Sequence, residues 1–174
     1  MGKVASLIDE LISVLSKENK EYQDLVILFQ EKTNVIVKGD LDYLQKITEA
    51  EQSFIGRISK LENQRTDLVN EIATVLCRDA NTLTVRDIIE VLKGQPEAKE
   101  RLAIVYDELK NTLNRMSALN DLNKNLIEQS LELIDFDLNL LKCAYMEPET
   151  ANYTKDAYNE QNINKSAGVF DAKQ

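Results

Sequence analysis

Few residues in this sequence have the type and spacing to do chemistry. Histidine is absent from the 174 residues, which excludes His-based metal sites and catalytic triads. Glu62 and Arg65 lie one turn apart on a predicted helix, and a carboxylate beside a guanidinium could serve as an acid/base site. Helix surfaces routinely carry such ionic pairs, however. Polar residues in a heptad seam usually set register, or lie where a neighbouring helix has ended. No phosphate-binding glycine loop and no metal-ligand cluster accompanies the pair, so the chain reads as a non-enzyme that needs no cofactor and no metal. Cys77 and Cys143 are too few for a disulfide scaffold. Each closes the apolar pattern of a predicted helix, which reads as a buried small hydrophobe rather than a reactive thiol.

What remains is apolar contact chemistry, and it concentrates between Met116 and Tyr145. This stretch has no glycine or proline. Laid on a helix from Leu126, the residues Ile127, Leu131, Ile134, Leu138, Leu141 and Tyr145 fall between about 60° and 140°. They form an ordinary core-facing stripe. Leu119, Leu122, Leu126, Leu133, Phe136 and Leu140 form a second flank, from roughly 280° round to 20°. A helix in a simple bundle needs one stripe, so the second flank is a candidate binding surface.

Composition sets the frame for these elements. Glycine is scarce at 5 and proline scarcer at 2, which favours an all-helical chain. A net charge of −9 without a basic block argues against nucleic acid. No apolar run approaches the ~18 residues of a membrane span, and no signal-peptide block follows Lys3. No membrane insertion is expected, and the chain reads as cytoplasmic. Gly2 with Ser6 fits the loose myristoylation pattern, but nothing else in the sequence suggests lipidation.

In chain order, a first helix is predicted from about Lys3 to Val37, its stripe running from Val4 to Ile36. Gly39 can take the left-handed conformation of a helix stop, and Asp40 can cap a second helix. Positions 41, 44, 48, 51, 55, 58, 62, 65, 69, 72 and 76 form a near-heptad seam there. Gly56, inside that helix, suggests a close helix crossing. Thr84 can cap a short third helix through about Lys93. Pro96 then opens a fourth helix, which Glu147-Pro148 ends. From Met146 onward no period of a strand or helix persists, which reads as a flexible tail.

These lengths predict an all-α fold: an elongated antiparallel bundle of three long helices, coiled-coil-like, with a short cross-helix and a flexible C-terminal tail. Residues 1–146 would form the bundle and 147–174 the tail. The flank from Ile127 to Tyr145 is assigned to the bundle core. The other flank needs a fourth helix from a partner, a second copy in a homo-oligomer, or the chain's own tail.

Residues 119–174 carry a resemblance. LNDLNKNLIEQSLELI, then NYTKDAYN and a terminal SAGVFDAKQ, resemble the FlgN family of flagellar export chaperones of the Gram-positive type. The bundle before them fits in architecture but carries little specific sequence. The resemblance implies a cytosolic chaperone that binds hook–filament junction proteins, prevents their premature assembly and delivers them to the flagellar type III export apparatus. It also implies that the C-terminal helical region holds an amphipathic helical segment of the client, which places the client on Leu119, Leu122, Leu126, Leu133, Phe136 and Leu140. A tyrosine just after that helix contacts the cytoplasmic domain of the export gate in the family. Tyr153 is the matching position here, with Thr154 where glycine is often found. The competing expectation is a structural coiled-coil or adaptor protein that oligomerises through the same helix.

Overall fold

A glycine stop and two side-chain caps divide the chain into its helices. The computed structural model describes residues 2–79, 82–92 and 94–145. These form α1 (Gly2–Lys38), α2 (Leu41–Val75), α3 (Val85–Val91) and α4 (Pro96–Tyr145). Gly39 sits at φ +69, its amide donating to the Ile36 carbonyl at 3.0 Å, while the Asp40 amide donates to Val35 at 3.3 Å. This left-handed turn satisfies the last carbonyls of α1. Asp40 then accepts from the Tyr43 amide at 3.0 Å and caps α2. Thr84 and Asp87 form a reciprocal capping box at the start of α3. The tail from Met146, with Tyr153 and the Phe170-Asp171-Ala172-Lys173 ending, lies outside the described residues.

Internal packing divides the chain into two units, Met1–Asp135 and Phe136–Gln174. In the first, contacts between α1 and α2 advance in opposite senses: Glu18 meets Arg65 at 3.0 Å and Lys32 meets Glu51 at 2.9 Å. Contacts between α1 and α4 advance together, with Asp9 at 3.0 Å from Arg101 and Asn19 at 2.7 Å from Thr112. The helices therefore run up, down and up, as short connections demand. On α1, Leu7, Ile8, Leu11 and Leu15 recur at helical spacing and pack with Ile72 of α2, Ile88 of α3 and Leu102 of α4. A second cluster joins Leu25, Phe29 and Ile58, with Met116 and Leu119 against it. In the second unit, Phe136–Tyr145 are the last turns of α4, and all are exposed.

A polar layer lies between the clusters. Glu18 is 1 % exposed and accepts from Arg65, while Tyr22 donates to Glu62 at 3.1 Å. Burial pushes the Glu18 carboxyl above its ordinary value, and Arg65 opposes that rise. Burial and the Glu62 carboxylate push Tyr22 up to about 12. Glu62 and Arg65 therefore each bond to α1, and this ties α2 to α1 in one register.

Four sequence expectations are corrected. Leu41 and Ile55, placed on the α2 seam, are exposed, whereas Ile47 and Phe54, off the seam, face the core together with the seam's Ile58 and Ile72. The seam turns gradually around a straight helix, so a strict heptad drifts off the buried face. Gly56 marks no close crossing, because a Cβ built there meets nothing within 4 Å. Neither cysteine is buried. Cys77 follows the last turn of α2 at φ 53, with the Cys77 and Arg78 amides closing onto Thr74 and Ala73 at 3.2 and 2.9 Å. That left-handed turn directs its side chain outward, and Cys143 lies in the exposed end of α4. Finally, the flank from Ile127 to Tyr145 is not bundle core: Ile127 is half-buried, and every later member is exposed.

Candidate functional site: the C-terminal half of α4

Local sequence accounts for α4 as a helix of 50 residues. Pro96 opens it with a preset φ, Glu97 lies in its first turn and Lys142 in its last, each matching the helix dipole. No further proline and no glycine interrupts it. Its position on α1 is set by buried polar contacts. Asn19 accepts from the Thr112 hydroxyl at 2.7 Å, and Asn123, 2 % exposed, donates to the Phe29 carbonyl at 2.9 Å. The Thr33 hydroxyl lies 2.6 Å from the Asn123 amide oxygen. Sliding α4 by one turn would strand these groups without partners, at about 1–3 kcal/mol for each buried group. Asn123 is the last α4 residue to be buried.

Beyond it the character of the helix changes. Leu126 and Ile127 are half-buried, and every residue from Glu128 to Tyr145 is exposed. Of the predicted client-binding residues, Leu119 is half-buried against the Leu25–Phe29–Ile58 cluster. Leu122 is exposed and Leu126 half-buried. Leu133, Phe136 and Leu140 are 61, 59 and 54 % exposed. The first three thus border the last buried turns of α4, and the last three are open to solvent. Tyr153 lies outside the described residues.

The structure adds residues that sequence reasoning missed. The α1–α2 turn and α4 enclose an open groove of about 390 Å³, lined by Val35, Ile36, Val37, Leu41 and Leu44 on one side. Ile127, Leu131, Leu133 and Ile134 line the other. Val37, Leu41, Leu131 and Ile134 are each more than half exposed. The Val35-Ile36-Val37 run, followed so soon by Leu41, was the available signal: a helix stop flanked by exposed aliphatic residues. Lys38, Asp40 and Ser130 also line it, but the groove is mostly apolar, open and helix-sided, a form suited to an amphipathic helix. Among the described residues no His/Cys/Asp/Glu group could hold a metal ion, and no helix is long and apolar enough to cross a membrane.

An all-helical bundle with a long helix that presents exposed apolar surface is the kind of scaffold that can bind another protein. Residues 1–161 match the family described as FlgN protein, and the chain belongs to that family. The family is one of flagellar export chaperones that bind hook-associated proteins, which gives this chain a chaperone role in flagellum biogenesis. The chain is also similar to a Bacillus subtilis (strain 168) protein described as "Uncharacterized protein YvyG", 25% identical over 152 residues that cover 87% of this chain and 89% of the relative. No solved structure matches the chain.

Proposed function

We propose that this protein acts in the cytoplasm as the export chaperone of hook–filament junction proteins, binding an amphipathic helical segment, preventing premature assembly and delivering the client to the export gate. The observation that carries the proposal is the exposed apolar surface of α4. Leu133, Phe136 and Leu140 are all more than half exposed there, and a run of such residues on a helix surface marks an interaction site. Leu122 and Leu126 extend the client flank toward the bundle, and Leu119 anchors its base. Each side chain that the client desolvates contributes about 1.5–3 kcal/mol before association costs. Tyr153, in the 147–174 tail, is the contact for the cytoplasmic domain of the gate.

The test is to mix the full chain with the C-terminal segment of a hook–filament junction protein and measure complex mass by light scattering. A stoichiometric complex is expected, weakened by Leu133→Asp or Phe136→Asp with helicity unchanged. Absence of a complex while both partners are folded removes the proposal. A self-associating chain with no client affinity would instead mark a coiled-coil adaptor. Tyr153→Ala should leave client binding intact and weaken gate binding; equal loss of both would put the tail in the client site.

A further inference from the structure

Two Asn–Thr layers join α1 to α4. In one, the Thr112 hydroxyl of α4 donates to the Asn19 amide oxygen of α1 at 2.7 Å, and the Asn19 amide nitrogen lies 3.4 Å from Glu108 Oε2. In the other, Asn123 of α4 donates to the Phe29 carbonyl at 2.9 Å, and the Thr33 hydroxyl of α1 lies 2.6 Å from the Asn123 amide oxygen. Asn19, Thr112 and Asn123 are three of the four buried polar side chains among the described residues. The apolar positions around them repeat by heptads. On α4, Leu102, Leu109 and Met116 lead to Asn123 in one row, and Val105, Thr112 and Leu119 lead to Leu126 and Leu133 in another. Sliding α4 by one heptad, about 10 Å, would put Leu109 and Met116 in the places of Leu102 and Leu109. It would put Leu126 and Leu133 in the places of Leu119 and Leu126. It would also set Leu119 against Asn19 and carry Asn123 into the place of Met116, beside the Leu25–Phe29–Ile58 cluster. The Asp9–Arg101 pair would be lost too, but both side chains are more than half exposed and such a pair contributes little. Among the side chains of this interface, the polar layers tell the two registers apart.

We infer that Asn19, Thr33, Thr112 and Asn123 are positioning residues, which select the register of α4 that keeps the client flank open. The inference rests on the chaperone reading of that flank and extends it to residues inside the bundle. A buried polar residue at one seam position fixes the register of paired helices at a cost in stability. Replacing both partners of a buried hydrogen bond by apolar groups of similar shape is close to neutral, or stabilising. An apolar interface would therefore hold α4 at least as firmly but would accept the slid register. There Leu126 packs on the Leu25–Phe29–Ile58 cluster, and Leu133, now 61 % exposed, takes the half-buried place of Leu126. The layers thus act as a stop that keeps these leucines out of the bundle. The competing determinant of register is the short connection from α3 to α4, where the Gln95 amide donates to the Leu92 carbonyl at 3.2 Å.

The experiment leaves that connection intact and reads the register as a distance. Spin labels are placed at Lys17→Cys on α1 and Asn125→Cys on α4, both exposed positions, in the full chain carrying Cys77→Ser and Cys143→Ser. Pulsed electron paramagnetic resonance of this parent should give one distance. Combining Asn19→Leu, Thr33→Val, Thr112→Val and Asn123→Leu is expected to add a population shorter by up to about 10 Å, with stability in urea equal to the parent's or higher. A second variant moves the polar partners along α4 by one heptad: Thr112→Leu, Leu119→Thr, Asn123→Met and Ser130→Asn. It should carry most of the distribution to the shorter distance. That chain should bind the C-terminal segment of a hook–filament junction protein at least about fivefold more weakly than the parent, because fewer than about one chain in five presents the open flank. Either variant folded at the parent distance alone overturns the inference and gives the register to the α3–α4 connection. Unfolding of both variants also overturns it, because the layers then supply stability rather than a choice of register. So does undiminished client binding by a chain whose distance has shifted. A parent that binds no junction protein removes the chaperone reading, whereas the distances still show what sets the register.

Discussion

Replacing Arg65 with methionine isolates the cost of the polar layer in the bundle. Glu18 is 1 % exposed, while the Arg65 side chain that pairs with it at 3.0 Å is 35 % exposed. The two ends of this ion pair are therefore unequal. Arg65→Met keeps most of the aliphatic stem but leaves a buried carboxylate without its counterion. Breaking a wholly buried pair in this way costs about 3–5 kcal/mol. The partial exposure of Arg65 lowers the expected loss to about 2–3 kcal/mol near neutral pH. Glu18→Gln removes the buried charge and leaves an arginine that can turn to water, so it should cost under about 1 kcal/mol. The pH dependence has a definite sign. Burial already holds the Glu18 carboxyl above its ordinary 4.5, and loss of Arg65 raises it further. A raised carboxyl favours the folded state when protonated. The Arg65→Met deficit is therefore smallest below the unfolded value and grows as pH rises through the folded one, by at most about 1.4 kcal/mol per pH unit. Urea denaturation of the wild type, both single variants and the double variant, at about pH 5 and pH 7.5, reads all of this. The double variant should recover most of the Arg65→Met loss. An Arg65→Met chain as stable as wild type at pH 7.5, or equally impaired at both pH values, would refute the buried-carboxylate account.

The remaining predictions concern local backbone and the exposed helix. Gly56→Ala should stabilise the chain by about 0.5–1 kcal/mol and raise Tm by roughly 2–4 °C, because the added Cβ meets nothing and the unfolded chain loses freedom. Cys77→Gly should stabilise by about 1 kcal/mol and Gly39→Ala destabilise by a similar amount, since both positions hold left-handed φ; calorimetry of the pair gives both signs in one comparison. In hydrogen exchange, amides from Glu128 to Tyr145 should exchange faster than those from Leu102 to Asn123, and a bound client should slow them. Protection of the two segments that is equal without a client would contradict the reading of that end of α4 as unpartnered.

The helix boundaries were legible in the sequence because their causes are local. Gly39, Asp40, Thr84 and Pro96 each act within a few residues, and each occupies the role its chemistry suggests. The α2 seam was less legible, since Leu41 and Leu44, or Ile55 and Ile58, offer two overlapping stripes and only the partner helix decides between them. The polar contacts of Asn19, Thr112 and Asn123 were not legible at all. They depend on α1 and α4 lying side by side in parallel, a relation that no spacing within one helix encodes. The fate of the Ile127–Tyr145 flank was misread for a related reason. Amphipathic periodicity shows that a face is apolar but not whether a neighbour is present to cover it. Helix length held the missing clue: 50 residues for α4 against 37 for α1 and 35 for α2.

That mismatch bears on what the exposed apolar surface would meet in a second copy of the chain. On α4 beyond Asn123, the leucines and isoleucines are interleaved with Glu128, Glu132, Asp135 and Asp137, against Lys124, 4.0 Å from Glu128, and Lys142 in the last turn. Two copies brought face to face along this segment would set carboxylates against carboxylates, a repulsion that acts before any apolar contact closes. The excess of carboxylates therefore weighs against pairing of two copies through this segment. It raises the threshold for self-association, which a coiled-coil adaptor would need to lower. The hydrophobic term itself stays available to a partner with a different charge pattern.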